Sequence, residues 1–201
     1  MRIGVDLDNT IINYDDAFLA GARRLGVDVG AARGKDAIRT IVRALPDGEM
    51  QWQRLQAQAY GEGIDAAAAF AGFGAFLARC AERTVPVWIV SHKTRVAAAD
   101  PLVDLRVAAS AWLDRRGYVA DGGPVQAVHF EATREEKIAR IRVLACTHFI
   151  DDLSEVFLEP TFPTEVQAFL FGGEARQTAP GVTYVPDWPA ATAAIFGDDR
   201  G

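Results

Sequence analysis

The chain is poor in lysine and cysteine. Only three of its 21 basic residues are lysines, at positions 35, 93 and 137, and there are two cysteines and three histidines. Cys80 and Cys146 match neither a metal-ligand spacing nor a disulfide framework, so a thiolate metal centre and a disulfide-stapled fold are both excluded. Each lies in an apolar, helix-like stretch, where a buried thiol is the simple reading. Positive charge is also short overall. The formal net charge is −6 and the isoelectric point about 5.1, so the surface repels nucleic acid and anionic lipid. No apolar run is long enough to span a bilayer, and no basic stretch followed by an apolar one opens the chain. A cytoplasmic protein without nucleic-acid or membrane partners is expected, as a monomer or a homodimer.

What is present is ordinary globular composition, with 50% hydrophobic and 24% charged residues over 201 positions. That length fits one domain, or a core carrying a modest insertion. Short apolar runs bounded by turn signals recur at Arg2–Val5, Val85–Val90, Val125–Phe130, Thr147–Ile150, Val166–Phe171 and Val182–Val185. They read as buried parallel strands. Helical patterns separate the later ones. Leu102–Arg116 ends at Gly117, a C′ glycine. Thr133–Ala145 opens with Thr133 and Glu136 in capping-box spacing. Trp188–Phe196 stops before Gly197. Alternating strands and helices predict an α/β fold, a Rossmann-like parallel sheet flanked by helices.

One region breaks the alternation. Between Thr10 and Val85 roughly seventy residues pass with no convincing strand, far beyond an ordinary connection. Helices are expected at Asp15–Leu25, Lys35–Leu45, Glu49–Tyr60 and Ala66–Glu82, with a turn at Pro46-Asp47-Gly48. The last leads straight into a strand and goes with the core. The expected division is therefore a core of residues 1–14 and 72–201 with a small α-helical insertion at 15–71.

Ligands of open parallel sheets bind beyond the carboxyl ends of the strands. Three strands end in reactive residue types: Asp6 and Asp8, then Ser91, then Asp151 and Asp152. Two carboxylates one residue apart can divide the work of nucleophile and of general acid and base. An Asp-rich turn is the plain alternative. Adjacent carboxylates at Asp151 and Asp152 repel each other unless a hard divalent cation such as Mg²⁺ lies among them, although Asp152 also suits a helix N-cap. A hydroxyl at Ser91 can hold a phosphoryl oxygen, and can equally be a turn serine. Lys137 sits near a helix start, where a cation is mildly disfavoured. It suits charge neutralisation at the site, with Lys93 as its rival.

Together these residues resemble the four ordered motifs of the haloacid dehalogenase superfamily. Asp6-Leu7-Asp8-Asn9-Thr10 is similar to its Asp-x-Asp-x-Thr motif, Ser91 to the second motif, Lys137 to the third, and Asp151-Asp152 to the fourth. The resemblance implies that Asp6 attacks phosphorus and binds Mg²⁺. Asp8 protonates the leaving oxygen, then activates water, and its main-chain carbonyl is a further metal ligand. Asp151 binds the metal directly, with Asp152 a ligand or a supporting partner. Thr10 orients the loop, and Ser91 and Lys137 hold the phosphoryl group. The dehalogenases of the superfamily lack an acid at the position of Asp8, and its ion pumps carry lysine where this chain has Leu7. Hydrolysis of a phosphate monoester of a small metabolite is thereby implied, with a sugar phosphate favoured; the alternatives are a 5'-nucleotidase acting on nucleoside monophosphates, a phosphotransferase or mutase, and, last, a non-catalytic binding module on the same scaffold.

The insertion matches the family's first cap position. His92 and Lys93, next to Ser91, are placed at the phosphate position. Arg33, within Gly30–Gly34, is the expected cap-loop contact. His129 and His148 read as core or surface residues, and Trp52 and Tyr60 as packing residues.

Overall fold

The computed structural model describes residues 1–119, 121–172 and 180–197. Residues 120, 173–179 and 198–201 of the expected core lie outside the described residues. In chain order the elements are β1 (Ile3–Val5), β2 (Ile12–Asn13), α1 (Asp15–Arg24), α2 (Lys35–Arg43), α3 (Gly48–Tyr60), a 3₁₀ turn (Ile64–Ala66) and β3 (Ala68–Ala69). There follow α4 (Phe73–Glu82), β4 (Val87–His92), α5 (Leu105–Arg115), β5 (Val125–Glu131) and α6 (Arg134–Val143). The chain continues through β6 (His148–Asp151), α7 (Ser154–Leu158), β7 (Gln167–Phe171), β8 (Val182–Val185) and α8 (Trp188–Phe196). Among the described residues no helix is long and apolar enough to cross a membrane.

The chain divides into two compact units. One comprises Met1–Ile11, Ala69–His92 and Gly117–Gly201, and the other Ile12–Ala68 and Lys93–Arg116. The first is an α/β unit around a six-stranded, all-parallel sheet in the order β5-β4-β1-β6-β7-β8. The chain starts in the middle of this sheet, runs outward through β4 and β5, then returns to the other side of β1 for β6. The strand order reverses at β1, so the carboxyl ends of β4, β1 and β6 border the crevice where such sheets bind ligands.

Burial on both faces explains why these strands are near-continuous apolar runs rather than alternating ones. On one face Trp88 and Val90 of β4 and Phe149 of β6 pack against Ile138 and Ile141 of α6. Elsewhere in the unit an aromatic cluster joins α4 to α8, with the Trp188 ring 4.9 Å from Phe73, 4.7 Å from Phe76 and 5.1 Å from Phe171. Glycine is required in β1 itself. A Cβ at Gly4 would stand 2.5 Å from Phe149 Cδ2 and 3.0 Å from Cys146 Sγ. The capping box that opens α6 is fully formed, Thr133 accepting from the Glu136 amide and Glu136 reaching back.

The second unit is helical. Phe18 of α1 stacks on Trp52 of α3 at 5.0 Å, and Tyr60 meets Phe18 edge-on at 5.4 Å. Ile38 and Val42 of α2, one turn apart, are fully buried. The ring NH of Trp112, on α5, donates to the Ala67 carbonyl at 3.1 Å, and the Arg116 guanidinium lies 4.0 Å above the Trp112 ring. Asp104 caps α5 by accepting from the Arg106 and Val107 amides at 3.0 Å each.

Two local expectations change here. The helix read between the second and third core strands, now α5, clusters with the helical unit along with the rest of Lys93–Arg116, so that unit is built from two chain segments rather than from 15–71 alone. Its tie is the buried Trp112, which periodicity does not distinguish from a residue packed on the sheet. The alanine run at 66–69 is not the start of a helix. Ala67 is extended, Ala68–Ala69 pairs with Ile12–Asn13, and α4 begins only after Gly72, whose φ of +93° interrupts a helix. Alanine tolerates either state, and long-range pairing decided between them.

Candidate active site

The site is built at the ends of β1, β4 and β6 and the first turn of α6. The Asp6 amide donates to the Ile150 carbonyl at 2.9 Å, the last sheet bond of β1 toward β6. The chain then leaves the sheet in a tight loop, closed by the Ile11 amide donating to the Leu7 carbonyl at 3.0 Å. Asn9 takes the left-handed conformation, φ +60°, which asparagine adopts more readily than most residues. Leu7 and Thr10 are fully buried and anchor the loop from below. The ring NH of Trp188 donates to the Thr10 carbonyl at 3.1 Å. Trp188 was read from the sequence only as the start of a helix. Its role in the loop has no local signal, because the bond spans nearly the whole chain.

Lys137 is the centre of the arrangement. Its Nζ donates to Asp6 Oδ1 and to Asp151 Oδ2, both at 2.6 Å, and the side chain is 2% exposed. The capping box fixes where α6 begins. The Lys137 amide donates to the Thr133 carbonyl at 3.1 Å, so the side chain leaves from the first full turn. Carboxylate oxygens of Asp6, Asp151 and Asp152 all lie within 4.8 Å of one another. Asp151 Oδ1 also accepts from the Leu153 amide at 3.0 Å, while Asp152 Oδ1 accepts a long 3.5 Å contact from the Thr10 hydroxyl. The residue capping α7 is Leu153, so Asp152 does not serve as that helix's cap.

Negative charge is in excess here. Burial raises the Asp6 carboxyl to about 7, Lys137 pulls it down, and Asp151 and Asp8 push it up. Burial alone would depress the Lys137 ammonium, but Asp151 and Asp6 outweigh burial and hold it above the ordinary lysine range. The Lys137 ammonium serves two of the three clustered carboxylates, Asp6 and Asp151, with Asp8 close enough to Asp6 to be felt. All the donors are hard oxygens, and a divalent cation is what such a set accommodates. The residues present fit Mg²⁺. The Asp8 carboxylate is half-exposed and stands outside the three-oxygen cluster, as suits a group kept for proton transfer.

Ser91 is the third contributor. The register Val5↔Ile89 sets it just beyond the end of β1 on the neighbouring strand. Its Oγ is completely buried and has no hydrogen-bond partner among the described residues. A buried hydroxyl without a partner costs free energy, and at this strand end it can donate to a ligand oxygen.

Other candidates go elsewhere. His92 is exposed, with Nε2 3.0 Å from the Ala132 carbonyl. Lys93 falls in the helical unit, its Nζ 5.2 Å from the Tyr60 ring centre and 5.9 Å from that of Tyr14. Lys137 is the lysine that bonds Asp6 and Asp151. Arg33 is exposed, its guanidinium donating to its neighbour's carbonyl on Ala32. His148 packs in the core against Phe169, and Trp52 and Tyr60 pack within the helical unit.

No protein-family model and no curated protein matches the chain. Solved structures do match over nearly its full length. A haloacid dehalogenase-like family hydrolase from Streptococcus pneumoniae is 15% identical with a TM-score of 0.64, covering 97% of each chain. The Protein Tyrosine Kinase A of Mycobacterium tuberculosis is 15% identical with a TM-score of 0.66, covering 96% of this chain and 97% of that one. The D,D-heptose 1,7-bisphosphate phosphatase of Burkholderia thailandensis is 13% identical with a TM-score of 0.54, over 98% of this chain and 100% of that one.

Proposed function

The chain has the haloacid dehalogenase-like α/β fold, and from that premise we propose that it hydrolyses a phosphate monoester of a small metabolite through a phosphoryl group carried on Asp6. The observation that supports this most is the Lys137 ammonium bridging Asp6 and Asp151 at 2.6 Å beside strand ends that also carry Asp152 and the unpartnered Ser91 hydroxyl.

In this reading an Asp6 carboxylate oxygen attacks phosphorus and forms an acyl phosphate, while the bond from phosphorus to the leaving oxygen breaks. Asp8 gives that oxygen its proton. It then takes a proton from water, which attacks phosphorus and releases the Asp6 carboxylate with inorganic phosphate. Lys137 keeps Asp6 oriented and offsets its charge, and the Ser91 hydroxyl donates to a phosphoryl oxygen. Asp6, Asp151 and Asp152, with the Asp8 main-chain carbonyl, would hold Mg²⁺, which supplies neutralisation of the phosphoryl charge when bound. Positioning and charge neutralisation are most of what phosphoryl transfer requires.

A sugar phosphate is the favoured substrate class. The aromatic residues of the helical unit, Phe18, Trp52 and Tyr60, are packed on one another, which weighs against their stacking on a nucleobase. The helical unit corresponds in this reading to the family's cap insertion, the part that selects the substrate. A second reading, transfer of the phosphoryl group to an organic hydroxyl instead of water, draws on the likeness to a tyrosine kinase.

The test is phosphate release from a panel of sugar phosphates and nucleoside monophosphates, with Mg²⁺ and with chelator, for wild type and Asp6→Asn. Mg²⁺-dependent release that vanishes in the variant is expected. Release that survives Asp6→Asn would overturn the assignment of the nucleophile. Formation of a new phosphate ester when an alcohol is added would favour the transferase reading.

A further inference from the structure

Three phenylalanine rings, Phe73, Phe76 and Phe171, pack on Trp188, whose side chain is fully buried. Packing alone would be served by a fourth phenylalanine. What tryptophan adds is a ring N–H, and a buried N–H needs an acceptor. It finds one in the Thr10 carbonyl, 3.1 Å away, on the loop that carries Asp6 and Asp8.

Trp188 is itself held from several sides. Asp187 caps α8 by accepting from the Ala190 amide at 2.8 Å, and Pro189 stands in the first turn. The Thr192 hydroxyl donates to the Trp188 carbonyl at 2.7 Å. Gly72 leaves room beside it, since a Cβ there would stand 3.0 Å from Trp188 Cβ and 2.9 Å from Pro189 Cδ. The indole is therefore a fixed donor to which the loop must conform.

The acceptor lies at the end of the loop that needs holding. At the near end the Asp6 amide donates to the Ile150 carbonyl of the sheet at 2.9 Å. The chain then passes Asp8 and the left-handed Asn9 before reaching Thr10. A residue other than glycine stays in that region only where its surroundings hold it there. Beyond the turn the Trp188 ring holds the Thr10 carbonyl, and the Phe70 amide donates to the Ile11 carbonyl at 2.9 Å. The Thr10 hydroxyl also reaches Asp152 Oδ1 at 3.5 Å, so a shift of Thr10 is felt at the carboxylate cluster as well as at Asp8.

We infer that Trp188 is a positioning residue of the candidate active site. Its ring N–H fixes the Thr10 carbonyl and so the conformation of the Asp6–Thr10 loop, in which Asp8 is suspended between two tied ends. Trp188 acts through Thr10 and not on the reacting atoms. The kinetic consequence rests on the function proposed above, whereas the holding of the loop does not.

Two replacements separate the donor from the ring. Trp188→Phe removes the N–H and part of the ring. The benzothiophene analogue of tryptophan at position 188 keeps the bicyclic ring and puts sulfur in place of the N–H. The 7-aza analogue keeps the N–H and serves as the control. Amide hydrogen exchange, followed by NMR on the full chain, reads the loop at the Ile11 amide, which is bonded to the Leu7 carbonyl. Its exchange is expected to rise about tenfold in both variants that lack the donor, the scale of one hydrogen bond. The amides of β6, and the 7-aza control, should keep the wild-type rates. With an ester that the wild type turns over, kcat is expected to fall about 10–100-fold while KM stays within about twofold, and the 7-aza analogue should restore kcat. A purely structural role would not divide kcat from KM or follow the N–H. Circular dichroism checks folding, and if Trp188→Phe fails to fold the benzothiophene analogue decides. Unchanged exchange at Ile11, or a rise shared equally by β6, overturns the inference. So does a raised exchange with kcat within about twofold of wild type. If the wild type turns over no ester, the proposed function fails, and the exchange measurement still decides whether Trp188 holds the loop.

Discussion

Replacing Lys137 by methionine preserves most of the side-chain volume and removes the ammonium that the two buried carboxylates Asp6 and Asp151 share. Each partner is 7% exposed or less, so water cannot take over the lost charge. Removing one partner of a buried ion pair costs about 3–5 kcal/mol. In a chain of this size each kcal/mol lowers the melting temperature by about 2–4 °C, so a fall of roughly 6–20 °C is expected in chelator. The asymmetry of the site sharpens the test. Because the folded-state pKa of Asp6 is raised to about 7, its charged form opposes folding, and the penalty grows from the unfolded value near 4 until it is fully present above 7. Asp6→Asn removes that penalty, so at pH 8 in chelator it is expected to melt at or above wild type. Mg²⁺ replaces the missing positive charge and should narrow the deficit of Lys137→Met, while stabilising Asp6→Asn less than wild type. The assay is thermal denaturation by circular dichroism, with and without Mg²⁺. A Lys137→Met variant within 2 °C of wild type in chelator, or one equally destabilised with and without Mg²⁺, would refute the reasoning.

Ser91→Ala removes a buried hydroxyl that has no partner among the described residues, so its stability should match or exceed wild type, by up to about 1–3 kcal/mol, while phosphate release falls at least about tenfold. Denaturant melts and kinetics on the same preparation check both. Gly4→Ala drives a methyl to 2.5 Å from Phe149 Cδ2 and should destabilise by about 1–3 kcal/mol, with partial recovery when Phe149→Leu is added. Additive losses in the double variant would contradict the clash. Burial, then the N-terminal amine, lowers the His148 pKa below its ordinary value, so the unfolded chain binds this proton more readily than the folded one. Its contribution is therefore intact above pH 6.5 and lost as pH falls through the folded-state pKa. Tm measured from pH 7.5 to 5 should fall less steeply in His148→Gln, and an unchanged slope would contradict this.

The amino-acid sequence by itself determined the elements and their chemical endings. Six short apolar runs became the six strands of the sheet, their ends within a few residues of the expected ones, and the Thr133–Glu136 box opened α6 as read. These features are legible because a buried strand, a cap and a turn each depend on neighbours a few residues away. The tertiary structure decided the rest. It brought the Lys137 ammonium from α6 to carboxylates at the ends of both β1 and β6, which no local signal around Lys137 specifies. It turned the alanine run at 66–69 out of a helix, and it gathered α5 with the helical unit through the bond of Trp112 to the Ala67 carbonyl. It also set the charge balance of the carboxylate cluster, since the pKa of Asp6 depends on burial and on groups up to 145 positions away. Local preference is encoded within a turn or two of chain. Partner choice and electrostatics are sums over residues that meet only after folding.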